Sequence, residues 1–173
     1  AYNGQTATLK ILVKTLGCDV NQATNDGASP AYIAAQEGRT AALELLIEAG
    51  CDVNQASNEG GTPALAAVQD GHTAALALLL EAGCDVNQAT SDGMTPVFLA
   101  AQHSQTAALE LLVKTPGCDL NRAAKDGATP AYAAARYGRT AALKVLVSAG
   151  CDVNLAVNGE RTPAHFAVLE GHT

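Results

Sequence analysis

The sequence predicts an all-α fold with short hairpin loops, in which units of helix, turn, helix and hairpin stack along the chain. The main observation is a GCDVN or GCDLN motif that returns every 33 residues, with one step of 34. Self-similarity at such a period is typical of stacked repeat architectures. Aromatic residues make up only 3% of the chain, and the many alanines indicate thin, closely packed helices instead of one central core.

The stretch TPALAAVQDG at 62–71 predicts the first helix of a unit. Thr62 is a good N-cap, and Pro63 suits the first helical turn because its missing N–H is not needed there. The alanine-rich segment that follows ends at Gly71, a favoured helix terminator. Serine-proline or threonine-proline pairs recur in step with the period at 29–30, 62–63, 95–96, 129–130 and 162–163.

A second, antiparallel helix is predicted at 74–82, with Thr73 as its cap and Gly83 as its end. Its leucines are spaced for one buried face. The stretch that follows, CDVNQATSDGM, is extended and has turn residues at its tip, so we expect a hairpin-like loop before the next unit.

These landmarks resemble the ankyrin repeat, and the resemblance covers the whole chain. It implies an ankyrin-repeat solenoid and a non-catalytic protein that binds other proteins. In this interpretation residues 1–173 form a single array. Its expected divisions are a partial repeat 1–24, full repeats 25–57, 58–90, 91–124 and 125–157, and a partial repeat 158–173.

The array departs from the repeat pattern in a few places that affect local loop geometry. Ser104 replaces a helix-ending glycine, and Glu160 replaces the hairpin glycine of the last unit. The chain opens with AYNG at 1–4, interpreted as the tail of a first helix, and stops at GHT at 171–173. We therefore expect a piece of a longer array.

The five cysteines could be metal ligands, disulfide partners, reactive thiols or one repeated structural position. Equivalent atoms of neighbouring units should lie roughly 10 Å apart, the spacing of packed helices. Disulfide partners need Cα atoms within about 7 Å. The cysteines are therefore interpreted as small apolar fillers after each second helix. Unpaired thiols suit a reducing compartment, so we expect an intracellular, cytoplasmic location. The residues are Cys18, Cys51, Cys84, Cys118 and Cys151.

No catalytic motif is found in the sequence, so the chain is not expected to be an enzyme or to hold a cofactor or a metal. His72 and His172 occupy the same turn position three units apart, roughly 30 Å by helix spacing, and cannot share an ion. The net charge of −7 disfavours nucleic acid as a partner. The longest apolar runs are too short to span a bilayer, so membrane insertion is not expected.

The candidate partner-binding residues lie at positions that change between units while the framework repeats. Hairpin tips and first helices line the concave face of a solenoid of this kind, and the resemblance implies a protein or peptide partner there. We expect a monomer with hydrophobic anchors around Leu99 and a basic end near Arg136 and Arg139. The candidates are Asn25, Asp26, Ile33, Gln36, Glu37, Asn58, Glu59, Gln69, Asp70, Ser91, Asp92, Met94, Leu99, Gln102, His103, Lys125, Asp126, Arg136, Tyr137 and Phe166.

Two other functions stay open at this point. The array could be a structural spacer or spring that sets the distance between other domains of a larger protein. It could also be a regulatory array attached to an enzyme whose catalytic sequence lies outside these residues.

Overall fold

The computed structural model of the chain describes residues 3–172. Ala1, Tyr2 and Thr173 lie outside this range. Part of the expected first-helix tail and part of the last turn therefore lie outside the described residues. Within residues 3–172 there are ten helices and no strand, and the only β feature is an isolated antiparallel bridge between Val157 and Arg161. The predicted all-α fold is confirmed.

The contacts divide the chain into two compact units, residues 1–85 and 86–173, each with two helix pairs and one further helix. The helices of the first unit are α1 (Asn3–Lys14), α2 (Pro30–Gln36), α3 (Thr40–Glu48), α4 (Pro63–Gln69) and α5 (Thr73–Glu81). Those of the second unit are α6 (Pro96–Gln102), α7 (Thr106–Lys114), α8 (Pro130–Arg136), α9 (Thr140–Ser148) and α10 (Pro163–Leu169).

The first unit is a two-layer stack of short and long helices. The seven-residue helices α2 and α4 pack side by side, and α3 packs between α1 and α5 in the other layer. Each short helix also packs on the longer helix that follows it. The buried side chains are mostly leucines on the longer helices and alanines on the short ones, and small side chains allow helices to pack closely. The fully buried leucines are Leu43, Leu76 and Leu79.

The second unit repeats this arrangement. Helix α8 packs between α6 and α10, while α7 and α9 form the second layer. Leu109, Leu112 and Leu146 are completely buried, as are Ala100 and Ala134 on the short helices. The buried leucines of α7 keep the spacing of those in α5, so one framework serves both units.

The short helices α2, α4, α6 and α8 begin with a buried serine or threonine cap, as the Ser-Pro and Thr-Pro pairs predict. The hydroxyl of Thr62 accepts a hydrogen bond from the backbone N–H of Leu65 at 3.3 Å, and Thr129 accepts one from Tyr132 at 3.2 Å. These hydroxyl-bearing caps are almost wholly buried, so their hydrogen bonds satisfy polar groups that water cannot reach. Ser29 and Thr95 cap α2 and α6 in the same way.

The starts of two longer helices correct the sequence-based expectation. Thr73 is the first residue of α5, not its cap; His72 holds the cap position and makes no capping side-chain bond. The reason is the tight glycine turn before it, which returns the N–H of His72 to the carbonyl of Ala67 at 2.8 Å. Helix α1 begins at Asn3, so residues 3 and 4 belong to this helix and not to the tail of a first helix.

Both departures from the glycine pattern are accommodated, each in its own way. Ser104 adopts a positive φ of 58° where other turns carry glycine. In the last hairpin the positive φ angles shift to Asn158 (51°) and Gly159 (78°), so Glu160 needs no left-handed conformation. Two central residues with positive φ are typical of a type I′ hairpin turn, for which Asn-Gly is the favoured pair.

No helix within residues 3–172 has the length and apolar character needed to cross a membrane.

Candidate partner-binding surface

The hairpin tips of the first unit form an ordered, exposed edge. The N–H of Gly27 donates to the carbonyl of Thr24 at 2.9 Å, which closes the turn and leaves Asn25 and Asp26 exposed at its tip. The backbone N–H of Asn58 donates to the carbonyl of Asp26 at 3.1 Å, and its side-chain amide donates to the carbonyl of Asn25 at 3.0 Å. Glu59 is exposed beside them. Neighbouring tips are therefore tied to each other.

The second unit carries the same tie between its tips. The N–H of Lys125 donates to the carbonyl of Asp92 at 2.9 Å, and Ser91, Asp92, Lys125 and Asp126 are all exposed. Met94 lies at the base of its hairpin, where it is half-buried and donates its N–H to the Thr90 hydroxyl at 3.2 Å. A fixed backbone thus presents tip side chains that differ from one unit to the next.

The C-terminal ends of the short helices expose a second row of candidates. Gln36 and Glu37 are exposed at the end of α2, and Gln69 and Asp70 at the end of α4. Ile33 is 43% exposed on α2. At the end of α6, His103 is exposed, whereas Gln102 is half-buried.

Leu99 is not an exposed anchor, and the expectation that hydrophobic anchors cluster around it is wrong. Its side chain is only 5% exposed. Helix α6 has seven residues and packs against α7, α8 and α9, so residues 96–101 are all buried and only the C-terminal end reaches the surface. The equivalent residue in α8, Ala133, is also buried.

An aromatic and arginine cluster forms on α8 and α10. The Arg136 guanidinium donates from Nη1 to the hydroxyl oxygen of Tyr132 at 2.8 Å. Its Cζ lies 5.9 Å from the Tyr132 ring centroid and 5.7 Å from that of Tyr137, within cation–π range. Phe166, half-buried, meets Tyr132 edge to face with centroids 4.5 Å apart. The hydrogen bond that Arg136 donates to the Tyr132 hydroxyl is the largest of the influences that raise the pKa of Arg136, so the guanidinium stays charged.

Three of these four residues are sequence candidates, and Tyr132 is the one that was missed. It is 6% exposed and lies one helical turn before Arg136. Residues four apart on a helix are neighbours, and that spacing is the signal that could have identified the pair.

Tyr32 is a second residue missed by sequence reasoning. Its ring lies on Gly61, where an added Cβ would come within 3.2 Å of the ring carbon Cε2. Burial raises the pKa of Tyr32, and the charges of Asp70 and Glu59 raise it further. A half-buried phenol thus lies near two exposed carboxylates on the first unit.

The surroundings of four of the five cysteines raise the thiol pKa and so disfavour the reactive thiolate. All five are free. Burial raises the pKa of the Cys84 and Cys118 thiols to about 11, and the aspartate that follows each adds to the effect. A thiol with a raised pKa carries little thiolate and is a poor nucleophile or metal ligand. Cys84 is buried, Cys18 is exposed, and the other three are half-buried. The expected role of a buried filler therefore fits Cys84 best and Cys18 least.

No group of three or more histidine, cysteine, aspartate or glutamate side chains within the described residues could hold a metal ion. Aspartates of the repeated GCDVN and GCDLN motifs instead accept hydrogen bonds within the loops. The Asp52 side chain accepts the N–H of Asn54 at 2.9 Å, and the Asn54 side chain accepts the N–H of Asp85, in the next repeat, at 2.7 Å. The second unit has the same pattern at Asp119, Asn121 and Asp152.

Comparison with known proteins agrees with this geometry. One family model, described as ankyrin repeats in three copies, matches residues 1–90, 49–124, 67–157 and 98–173. Ankyrin repeats are generally protein–protein interaction modules and are typically non-catalytic. No curated protein matches the sequence significantly. Because the family model matches throughout residues 1–173, the chain belongs to the ankyrin repeat family.

Proposed function

We propose that this chain is a non-catalytic scaffold that binds a protein or peptide through its hairpin tips and the ends of its short helices. One observation carries the proposal. In each unit the exposed positions on these elements change in charge and size, while the caps and buried leucines beneath them repeat. Gln36 and Glu37 in one repeat correspond to Arg136 and Tyr137 in another.

The two units offer different chemistry to a partner. Residues 1–85 hold ten aspartates and glutamates against three lysines and arginines, whereas residues 86–173 hold seven of each kind. The first unit therefore favours basic segments of a partner. The second carries Arg136 and exposed aromatic surface, residue types that often anchor protein interfaces. The protein is expected to act as a monomer without nucleic acid.

Affinity capture with three baits tests this proposal. The first is the chain itself. The second carries Asp70→Lys and Tyr137→Glu, both exposed at the ends of short helices. The third is a matched control with Glu44→Lys and Lys144→Glu, exposed on longer helices. Circular dichroism checks that all three baits are folded.

A protein retained by the first and third baits and lost by the second would support binding at the tips and short helices. Equal retention by all three baits, or no retained protein, would count against the proposal. A spacer in a larger protein would then be the better description.

A further inference from the structure

We propose that Arg136 recognises the carboxylate of an aspartate or glutamate in an acidic peptide segment, with Tyr132 and Tyr137 holding its guanidinium ready. The inference rests on the proposed function and specifies the chemical group that one position of the surface would bind. It concerns the second unit alone, since Arg136, Tyr132, Tyr137 and Phe166 all belong to residues 86–173.

The guanidinium is positioned but not neutralised. One N–H is directed to the Tyr132 hydroxyl, and two ring faces lie within 6 Å of its Cζ. Within residues 3–172, no carboxylate forms an ion pair with Arg136, and Glu170 has the smallest of the influences on its pKa. A guanidinium has five N–H donors, so most of its fork is left for a partner.

The residues beneath Arg136 are themselves fixed. Tyr132 is buried, its N–H is bonded to the Thr129 hydroxyl at 3.2 Å, and Phe166 packs against its ring. The carbonyl of Arg136 lies 3.0 Å from Nε2 of His172, which holds the end of the helix. Much of the entropy cost of ordering a long side chain is therefore met before a partner arrives, and such preorganisation raises affinity.

The chemistry of the cluster favours a carboxylate. The planar fork of arginine matches the two oxygens of a carboxylate and can bind both at once. Phosphorylated peptides are usually recognised by clusters of arginines, whereas this cluster contains a single one among aromatic rings. Tyr137, 42% exposed, offers an apolar face to the aliphatic part of the same or a neighbouring side chain.

A selection from a display library of short random peptides tests the proposal on residues 1–173. The selection is run in parallel on the unchanged chain, on Arg136→Gln and on Lys144→Gln, which removes one positive charge from an exposed position on α9. We expect aspartate and glutamate to be enriched at one peptide position with the unchanged chain and with Lys144→Gln. The enrichment should be lost with Arg136→Gln.

One selected peptide is then measured by fluorescence anisotropy, in three forms that carry glutamate, glutamine or phosphoserine at the enriched position. Arg136→Gln should weaken binding of the glutamate form roughly fivefold, the upper end for an ion pair exposed to solvent. Tyr132→Phe keeps the ring and removes the acceptor, so it should weaken binding about threefold by releasing the guanidinium. Lys144→Gln, outside the cluster, is the control and should leave affinity unchanged.

The outcomes separate this inference from the broader proposal. Peptides enriched without acidic residues, or enriched equally by Arg136→Gln, would overturn the role of Arg136 and leave protein binding intact. Tighter binding of the phosphoserine form than of the glutamate form would replace the carboxylate with a phosphate and overturn the proposal as stated. No enriched peptide from any of the three selections would count against both.

Discussion

The side-chain oxygen of Asn121 accepts a hydrogen bond from the backbone N–H of Asp152, 31 residues further along the chain, at 2.8 Å. The same residue's N–H donates to the Asp119 carboxylate at 2.9 Å. One asparagine thus joins a turn within its own repeat to the next repeat. Asn21 and Asn54 make the equivalent bond in the first unit, each at 2.7 Å.

Removing one of these links should lower stability measurably. Asn121→Ala leaves the N–H of Asp152 without its acceptor, and we expect a loss of about 1 kcal/mol in the free energy of unfolding. Asn154→Ala is the matched control, because its side chain accepts no such bond from another repeat within the described residues. Chemical denaturation measures both. Equal losses for the two variants would show that the link between repeats contributes nothing.

Ser104 offers a stabilising change. Its φ of 58° is a strained backbone conformation for any residue with a Cβ, and Ser104→Gly should stabilise the protein by about 0.5–1 kcal/mol. The reverse change, Gly71→Ser, places a Cβ at φ 76° and should destabilise the protein by a similar amount. Thermal unfolding of the two variants is sufficient, and a lower melting temperature for Ser104→Gly would contradict the argument.

In the last hairpin, a substitution at Gly159 should change stability, whereas one at Glu160 should not. Gly159→Ala meets no neighbouring atom within 4 Å, so its cost comes only from the positive φ and should be about 1 kcal/mol. Glu160→Gly would restore the usual repeat sequence, yet it should bring no gain in stability because residue 160 has no positive φ here. Thermal unfolding measures both variants. A stabilising effect of Glu160→Gly would contradict the assignment of the positive φ angles to Asn158 and Gly159.

The buried thiol of Cys84 should make stability depend on alkaline pH. Burial raises the pKa of this thiol from its ordinary value of 9.0 to about 11, so the folded state holds the proton more tightly than the unfolded state does. Its contribution is therefore fully present below pH 9 and is lost as the pH rises towards 11. Cys84→Ala should show a smaller decline over that range than the unchanged chain, measured by denaturation at several pH values. Parallel declines would exclude the thiol as the cause.

Leu99 and Ile33 occupy equivalent positions and should respond very differently to a charge. Leu99→Arg buries an unpaired charge in a helix packed on three others, and we expect a loss of about 3–5 kcal/mol. Ile33→Arg, at a position 43% exposed, should change stability by no more than about 0.5 kcal/mol. Similar unfolding midpoints for the two variants would mean that Leu99 is not buried as described.

Periodic features of the fold could be predicted from the sequence, and features that depend on neighbouring side chains could not. Thr62 and Pro63 start a helix for local reasons, so the prediction there is confirmed. Whether Leu99 faces solvent depends on how many helices surround α6, which no local pattern shows. In the candidate site, Arg136 and Tyr137 were selected for their residue type, whereas Tyr132 was missed although it lies four residues before Arg136, to which it is hydrogen-bonded.

The distance along the chain between bonded repeats bears on how the protein folds. Several hydrogen bonds join residues 31 to 37 positions apart. They are the asparagine links, the bond from Arg139 to the carbonyl of Gln102, and the contact of His172 with the carbonyl of Arg136. Each such hydrogen bond therefore closes a loop of nearly the same modest length, and none requires contact with a distant part of the chain. Folding can begin in any repeat and spread to its neighbours, with a low contact order that favours a fast rate.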